Sequence, residues 1–144
     1  MEDARRKVER GEAATAKTVL LVEDDYDVRD TLQDLLESEG FDVIPAANGK
    51  QAIDFLRYAI KPGGDFVVVL DLMMPMVSGW EVLELLTKDS RLSRIPVIVL
   101  SALATERPPR AQEFVRKPFT MQTLVTSIRN WFPALRPNGL GIPG

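Results

Sequence analysis

Phe66-Val67-Val68-Val69-Leu70-Asp71-Leu72-Met73-Met74-Pro75 is the stretch on which the rest of the chain is built: five apolar residues run straight into a carboxylate and then a proline turn. A run of that length, rich in β-branched residues and preceded by Gly63-Gly64, reads as a strand buried on both faces of a parallel sheet. Asp71 is then a charge delivered at the carboxyl end of a buried strand, the edge where open α/β sheets bind ligands. Taken singly, such an aspartate need only lead the sheet into a turn, so its meaning depends on the other strands.

Upstream, Thr18-Val19-Leu20-Leu21-Val22 reads as a first buried strand ending in Glu23-Asp24-Asp25. Adjacent carboxylates repel one another, so a fold that gathers them must solvate them, cap a helix with them or bind a cation. Asp25 or Asp27 caps the helix that follows, whose apolar stripe is Val28, Leu32, Leu35 and Leu36 and whose end is Gly40. Phe41 to Ala46 predicts a second strand, and Asn48 caps a helix with Ala52, Ile53, Leu56 and Ile60 inward.

Downstream, Ser78-Gly79-Trp80-Glu81 reads as a capping box opening a helix with Val82, Leu85 and Leu86 inward. Arg91 to Arg94 reads as a polar connection. Ile95 to Leu100 is a fourth buried strand ending at Ser101, with Pro96 tolerable at its start. Glu113 to Arg116 is a short fifth strand running into Lys117-Pro118. Thr120 caps a last helix with Met121, Leu124, Val125, Ile128 and Trp131 at helical spacing. Strands alternating with helices over short connections imply a parallel sheet with helices on both faces, which puts every polar strand end on one edge.

The totals narrow the chemistry. At 144 residues and 45% apolar composition the chain fits one domain, expected over 18–132, with a mobile charged extension over 1–17 and a flexible Pro/Gly-rich tail over 133–144. There is no cysteine and no histidine, so disulfides, zinc chemistry, a serine-type triad and self-phosphorylation on histidine are excluded from within this chain. A net charge of −3 gives no electrostatic case for nucleic acid, and no apolar run approaches membrane-spanning length, so a soluble cytoplasmic protein is expected.

The shared edge then holds Glu23, Asp24, Asp71, Ser101 and Lys117. Carboxylates without histidine or cysteine make a hard oxygen site suited to Mg²⁺. A lysine and a hydroxyl are groups suited to surround a phosphoryl, with Asp71 as the nucleophile that forms an acyl phosphate.

With these residues in this order, Thr18 to Phe132 resembles the response-regulator receiver domains of two-component signalling. The resemblance implies a flavodoxin-like five-stranded sheet of order 2-1-3-4-5. It implies Asp71 as phosphoacceptor, Asp24 on Mg²⁺ directly, Glu23 on it largely through water, and the Met73 backbone carbonyl completing the protein ligands. Ser101 would be the switch hydroxyl, Phe114 the aromatic that follows it, and Lys117 the phosphate partner, aimed by a cis Lys117-Pro118 peptide. Read alone, Ser101 is a strand-end cap, Phe114 plain packing and Lys117 a surface lysine. The implied partners are a sensor histidine kinase or phosphotransfer protein and a downstream protein reached by contact. The chain is expected to be a signalling phosphoacceptor, not a turnover enzyme.

Two features depart from that pattern. Only fifteen residues lie between Ser101 and Lys117, and Arg107-Pro108-Pro109-Arg110 is among them, so the helix normally found there is expected to be shortened or missing. Arg116 is larger and more charged than the residue usual before the lysine, and reaches out of the sheet or toward an anion. Met73 and Leu103, two beyond Asp71 and Ser101, offer no group to orient water against an acyl phosphate, so a long-lived phosphoryl state is expected. The competing readings are a receiver-like interaction module that no longer uses phosphorylation, motivated by the shortened connection, and a metal-dependent phosphatase. The phosphatase wants a second acid where Met73 stands.

Overall fold

The computed structural model describes residues 17–58, 66–72, 79–102 and 108–132. The expectations for Ile60, Met73, Ser78, Leu103 and both chain ends lie outside these residues.

Five strands form one parallel sheet in the order β2-β1-β3-β4-β5: β1 Thr18–Val22, β2 Asp42–Ala46, β3 Phe66–Asp71, β4 Val97–Ser101 and β5 Glu113–Arg116. Four α-helices are present among the described residues: α1 Tyr26–Ser38, α2 Gly49–Tyr58, α3 Gly79–Lys88 and α4 Met121–Asn130. β1, β3 and β4 are buried at every position, as their unbroken apolar runs require when helices cover both faces. Alternate side chains feed two cores. Leu20, Val22, Val68, Leu70, Val97 and Val99 pack with α2 and α3 residues such as Leu56, Val82 and Leu86. Val19, Leu21, Val67, Val69, Ile98 and Leu100 pack with Leu32, Leu36, Leu124 and Ile128 of α1 and α4.

The helix ends follow local chemistry. Asp25, not Asp27, caps α1 by accepting from the Val28 amide at 3.0 Å. The helix stops at Gly40, whose φ of +95° a side chain would strain. Gly40 N donates to Glu37 O and Phe41 N to Leu36 O, a Schellman closure. Asn48 and Thr120 cap α2 and α4 through the amides of Gln51 and Thr123. Two expectations change. Val28 and Leu35 are exposed, because the face α1 turns to the sheet is narrower than its apolar stripe and takes Leu32 and Leu36 only. The Arg91 to Arg94 connection overlaps a 3-10 turn, Ser90–Leu92, which drives Leu92 into the core.

Between β4 and β5, residues 108–112 form no helix, and the shortening expected from Pro108 and Pro109 is met among the described residues. Arg110 holds this connection instead. Its half-buried guanidinium donates to the carbonyls of Leu86, Leu92 and Ile95 at 3.3, 3.1 and 2.8 Å and to Gln112 Oε1 at 3.3 Å, joining it to the end of α3 and the 3-10 turn. Burial lowers its pKa, but a guanidinium stays charged.

Candidate functional site

The parallel register carries the ends of β1, β3, β4 and β5 to one edge. Asp71 is the last residue of β3 and pairs with Leu100, one residue before Ser101; Ser101 in turn pairs with Arg116, one residue before Lys117. The ladder runs one step beyond β5, since Lys117 N donates to Ser101 O at 3.1 Å, and the Lys117-Pro118 peptide is cis.

Three carboxylates meet there: one oxygen each from Glu23, Asp24 and Asp71 lies within 4.8 Å of the others. Asp24 is exposed, whereas Glu23 and Asp71 are only 3% and 5% accessible. Lys117 enters from the β5 side, with Nζ 3.1 Å from Asp71 Oδ2 and 3.7 Å from Glu23 Oε2. Ser101 is buried at the adjoining strand end, and Phe114 is half-buried against the α2/α3 core. Arg116 is exposed. Met73, expected to offer a carbonyl, is not among the described residues.

The electrostatics show a site short of positive charge. Burial pushes the Glu23 carboxyl up to about 7, helped by its hydrogen bond to Asp71 and by the Asp71 charge. Lys117 and a backbone contact at Asp25 pull the other way without prevailing. Glu23 Oε2 is buried and makes no hydrogen bond. Burial also disfavours the Lys117 cation, yet the hydrogen bond to Asp71 and the charges of Asp71 and Glu23 outweigh it and raise its pKa, so the lysine is charged at neutral pH. An orphaned carboxylate oxygen inside an all-oxygen donor set fits a hard divalent cation such as Mg²⁺.

One functional position was not apparent in sequence. Gly79, the first residue of α3, lies so close to the end of β3 that a Cβ there would sit 2.5 Å from Asp71 O and 2.6 Å from Leu72 Cα. Its amide donates to Leu72 O at 3.2 Å. The expectation for Gly79 was a place in a capping box, and only the fold reveals the close approach.

A doubly wound sheet of this strand order, with acids, a hydroxyl and a lysine gathered at the carboxyl edge, defines the receiver class. The chain belongs to the response regulator receiver domain family, whose model matches residues 19–129. It is 39% identical over 127 residues to the uncharacterized transcriptional regulatory protein YkoG of Bacillus subtilis, covering 84% of this chain and 52% of that protein. It is 34% identical to the transcriptional regulatory protein CpxR of Escherichia coli, covering 87% of this chain and 56% of that one. The chain thus spans about half the length of these relatives. The polar-differentiation response regulator DivK of Brucella anthropi is 30% identical, with 80% of this chain and 95% of DivK covered. Among solved structures, the response regulator TrrA of Thermotoga maritima, in complex with Mg²⁺-BeF, superposes with a TM-score of 0.68 at 28% identity, covering 81% of this chain and 99% of that one. No helix among the described residues is long and apolar enough to cross a membrane.

Proposed function

We propose that this receiver domain takes a phosphoryl group from a phosphohistidine onto Asp71 and signals in the cytoplasm through protein contact. An Asp71 carboxylate oxygen attacks the phosphorus, the N–P bond breaks, and the imidazole leaves with the electron pair, which makes an acyl phosphate. Glu23, Asp24, Asp71 and the Met73 carbonyl would hold Mg²⁺, which when bound supplies positive charge to the transferring oxygens. Lys117 pairs with a phosphoryl oxygen by leaving its present partner, Asp71 Oδ2. Ser101 donates its hydroxyl to another, and Phe114 follows. The phosphorylated form favours a conformation that a downstream protein reads. No turnover is assigned to the chain beyond acceptance and slow loss of the phosphoryl group.

The observation that carries this reading is the approach of Lys117 Nζ to 3.1 Å from Asp71 Oδ2, beside a buried Glu23 oxygen with no hydrogen bond. The Mg²⁺-BeF complex of TrrA, a similar chain, supports it. A second reading, a receiver-like interaction module that no longer uses phosphorylation, is favoured by the non-helical connection that Arg110 pins. DNA binding, which the names of the transcriptional relatives suggest, is not assigned to these residues. Incubation with Mg²⁺ and acetyl phosphate, followed by intact mass measurement, separates the two. Wild type gains one phosphoryl group and Asp71→Asn gains none, whereas an interaction-only module gains none in either form.

A further inference from the structure

The turn that presents Glu23 and Asp24 has to hold two acids against a third. Its backbone is anchored on one side by the sheet, where Glu23 N donates to Ala46 O at 3.1 Å, and on the other by the Asp25 cap of α1. Between these anchors the peptide groups of Glu23 and Asp24 are gripped by one side chain. Arg29 Nη1, from the second turn of α1, reaches back to donate to Glu23 O at 2.9 Å and Asp24 O at 3.4 Å.

Arg29 is out of place by ordinary helix electrostatics. A cation this near a helix N-terminus is opposed by the macrodipole, and among the described residues its guanidinium pairs with no carboxylate. Its other contact is the ring of Tyr26, which is 68% exposed and lies 5.5 Å from the guanidinium carbon. Two features otherwise unexplained, a cation in an acidic turn and a surface aromatic, thus meet at one point. Both bonds end on carbonyl oxygens and neither on a carboxylate, so Arg29 acts on the backbone. Fixing two successive carbonyls fixes the peptide planes that set the directions in which both acidic side chains leave the chain.

We infer that Arg29 is a positioning residue for the cation site: by bridging the Glu23 and Asp24 carbonyls, with Tyr26 packed against it, it holds the two acids convergent on Asp71. This rests on the proposed Mg²⁺ site. Lysine keeps the charge of arginine, but its ammonium ends one bond short of Nη1, the atom that makes both bonds, so Arg29→Lys and Arg29→Met should behave alike.

The test is Mg²⁺ titration by calorimetry of the full chain as wild type, Arg29→Lys and Arg29→Met, with amide exchange of the metal-free proteins. Outer contacts to a metal site are worth about 10–100-fold in affinity, and both variants are expected to lose that much. Exchange should quicken at Asp24 to Tyr26 while the β1 and β3 amides keep their protection. Wild-type affinity in Arg29→Met, or in Arg29→Lys alone, overturns the inference, the latter because charge would then suffice. Loss of β1 and β3 protection overturns it in favour of a plain folding role. Failure of the wild type itself to bind Mg²⁺ defeats the cation site, and the inference with it.

Discussion

Replacing Glu23 with glutamine is expected to stabilise the metal-free protein at pH 8 and to leave it nearly unchanged at pH 4. Below the ordinary value of 4.5 the carboxyl is protonated in both folded and unfolded chains, and burial costs little. Between 4.5 and about 7 the folded state keeps a proton that the unfolded chain has lost, so stability falls as pH rises. Above 7 the full penalty applies: a carboxyl held at about 7 against an ordinary 4.5 costs roughly 3–4 kcal/mol. With no histidine in the chain, no other side chain ordinarily titrates in this window. Glutamine keeps the shape and removes the charge, so its advantage should grow from near zero at pH 4 to roughly 3 kcal/mol at pH 8, or roughly 5–15 °C in Tm. Thermal melts in chelator at several pH values measure it. Added Mg²⁺ should raise the wild-type Tm at pH 8 more than that of the variant, since cation binding needs the deprotonated acid. A variant no more stable than wild type at pH 8, or a difference that does not change with pH, would refute the claim that Glu23 is a buried acid awaiting a counter-charge.

Arg110→Met should lower the unfolding free energy read from chemical denaturation by roughly 2–4 kcal/mol at unchanged slope, because it strands the carbonyls of Leu86, Leu92 and Ile95; a loss below about 1 kcal/mol would mean the clamp is ornamental. Gly79→Ala should destabilise by about 1–3 kcal/mol and slow phosphorylation by acetyl phosphate, since its Cβ displaces the Asp71 backbone; wild-type melting and rate together would contradict that. The phosphoryl group should persist for minutes or longer after donor removal, because Met73 and Leu103 cannot orient water. Decay within seconds by intact mass would count against it.

The sheet was legible in the sequence because burial on both faces leaves unbroken apolar runs, as in Val67-Val68-Val69-Leu70, and because acids at strand ends have few structural uses. The convergence of Glu23, Asp24, Asp71 and Lys117 followed from topology alone, since parallel strands put all carboxyl ends on one edge. Side-chain to carbonyl contacts were not legible. Arg110 bonds carbonyls 15 to 24 residues away and Arg29 bonds two in its own turn, and a carbonyl leaves no mark on residue identity. Leu92 was hidden among arginines, and Val28 and Leu35 satisfied a helical period without meeting a partner. For Arg29 one signal was available, a cation near the amino end of a helix where the dipole opposes it.

The most direct test of the central claim is to locate the phosphoryl group. Wild type treated with acetyl phosphate and Mg²⁺ is reduced with borohydride, which converts an acyl phosphate to an alcohol, and its peptides are sequenced by mass spectrometry. The account predicts reduction of Asp71 alone, with Glu23 and Asp24 intact. Reduction at another acid, or none in a sample that carries phosphate, would contradict it.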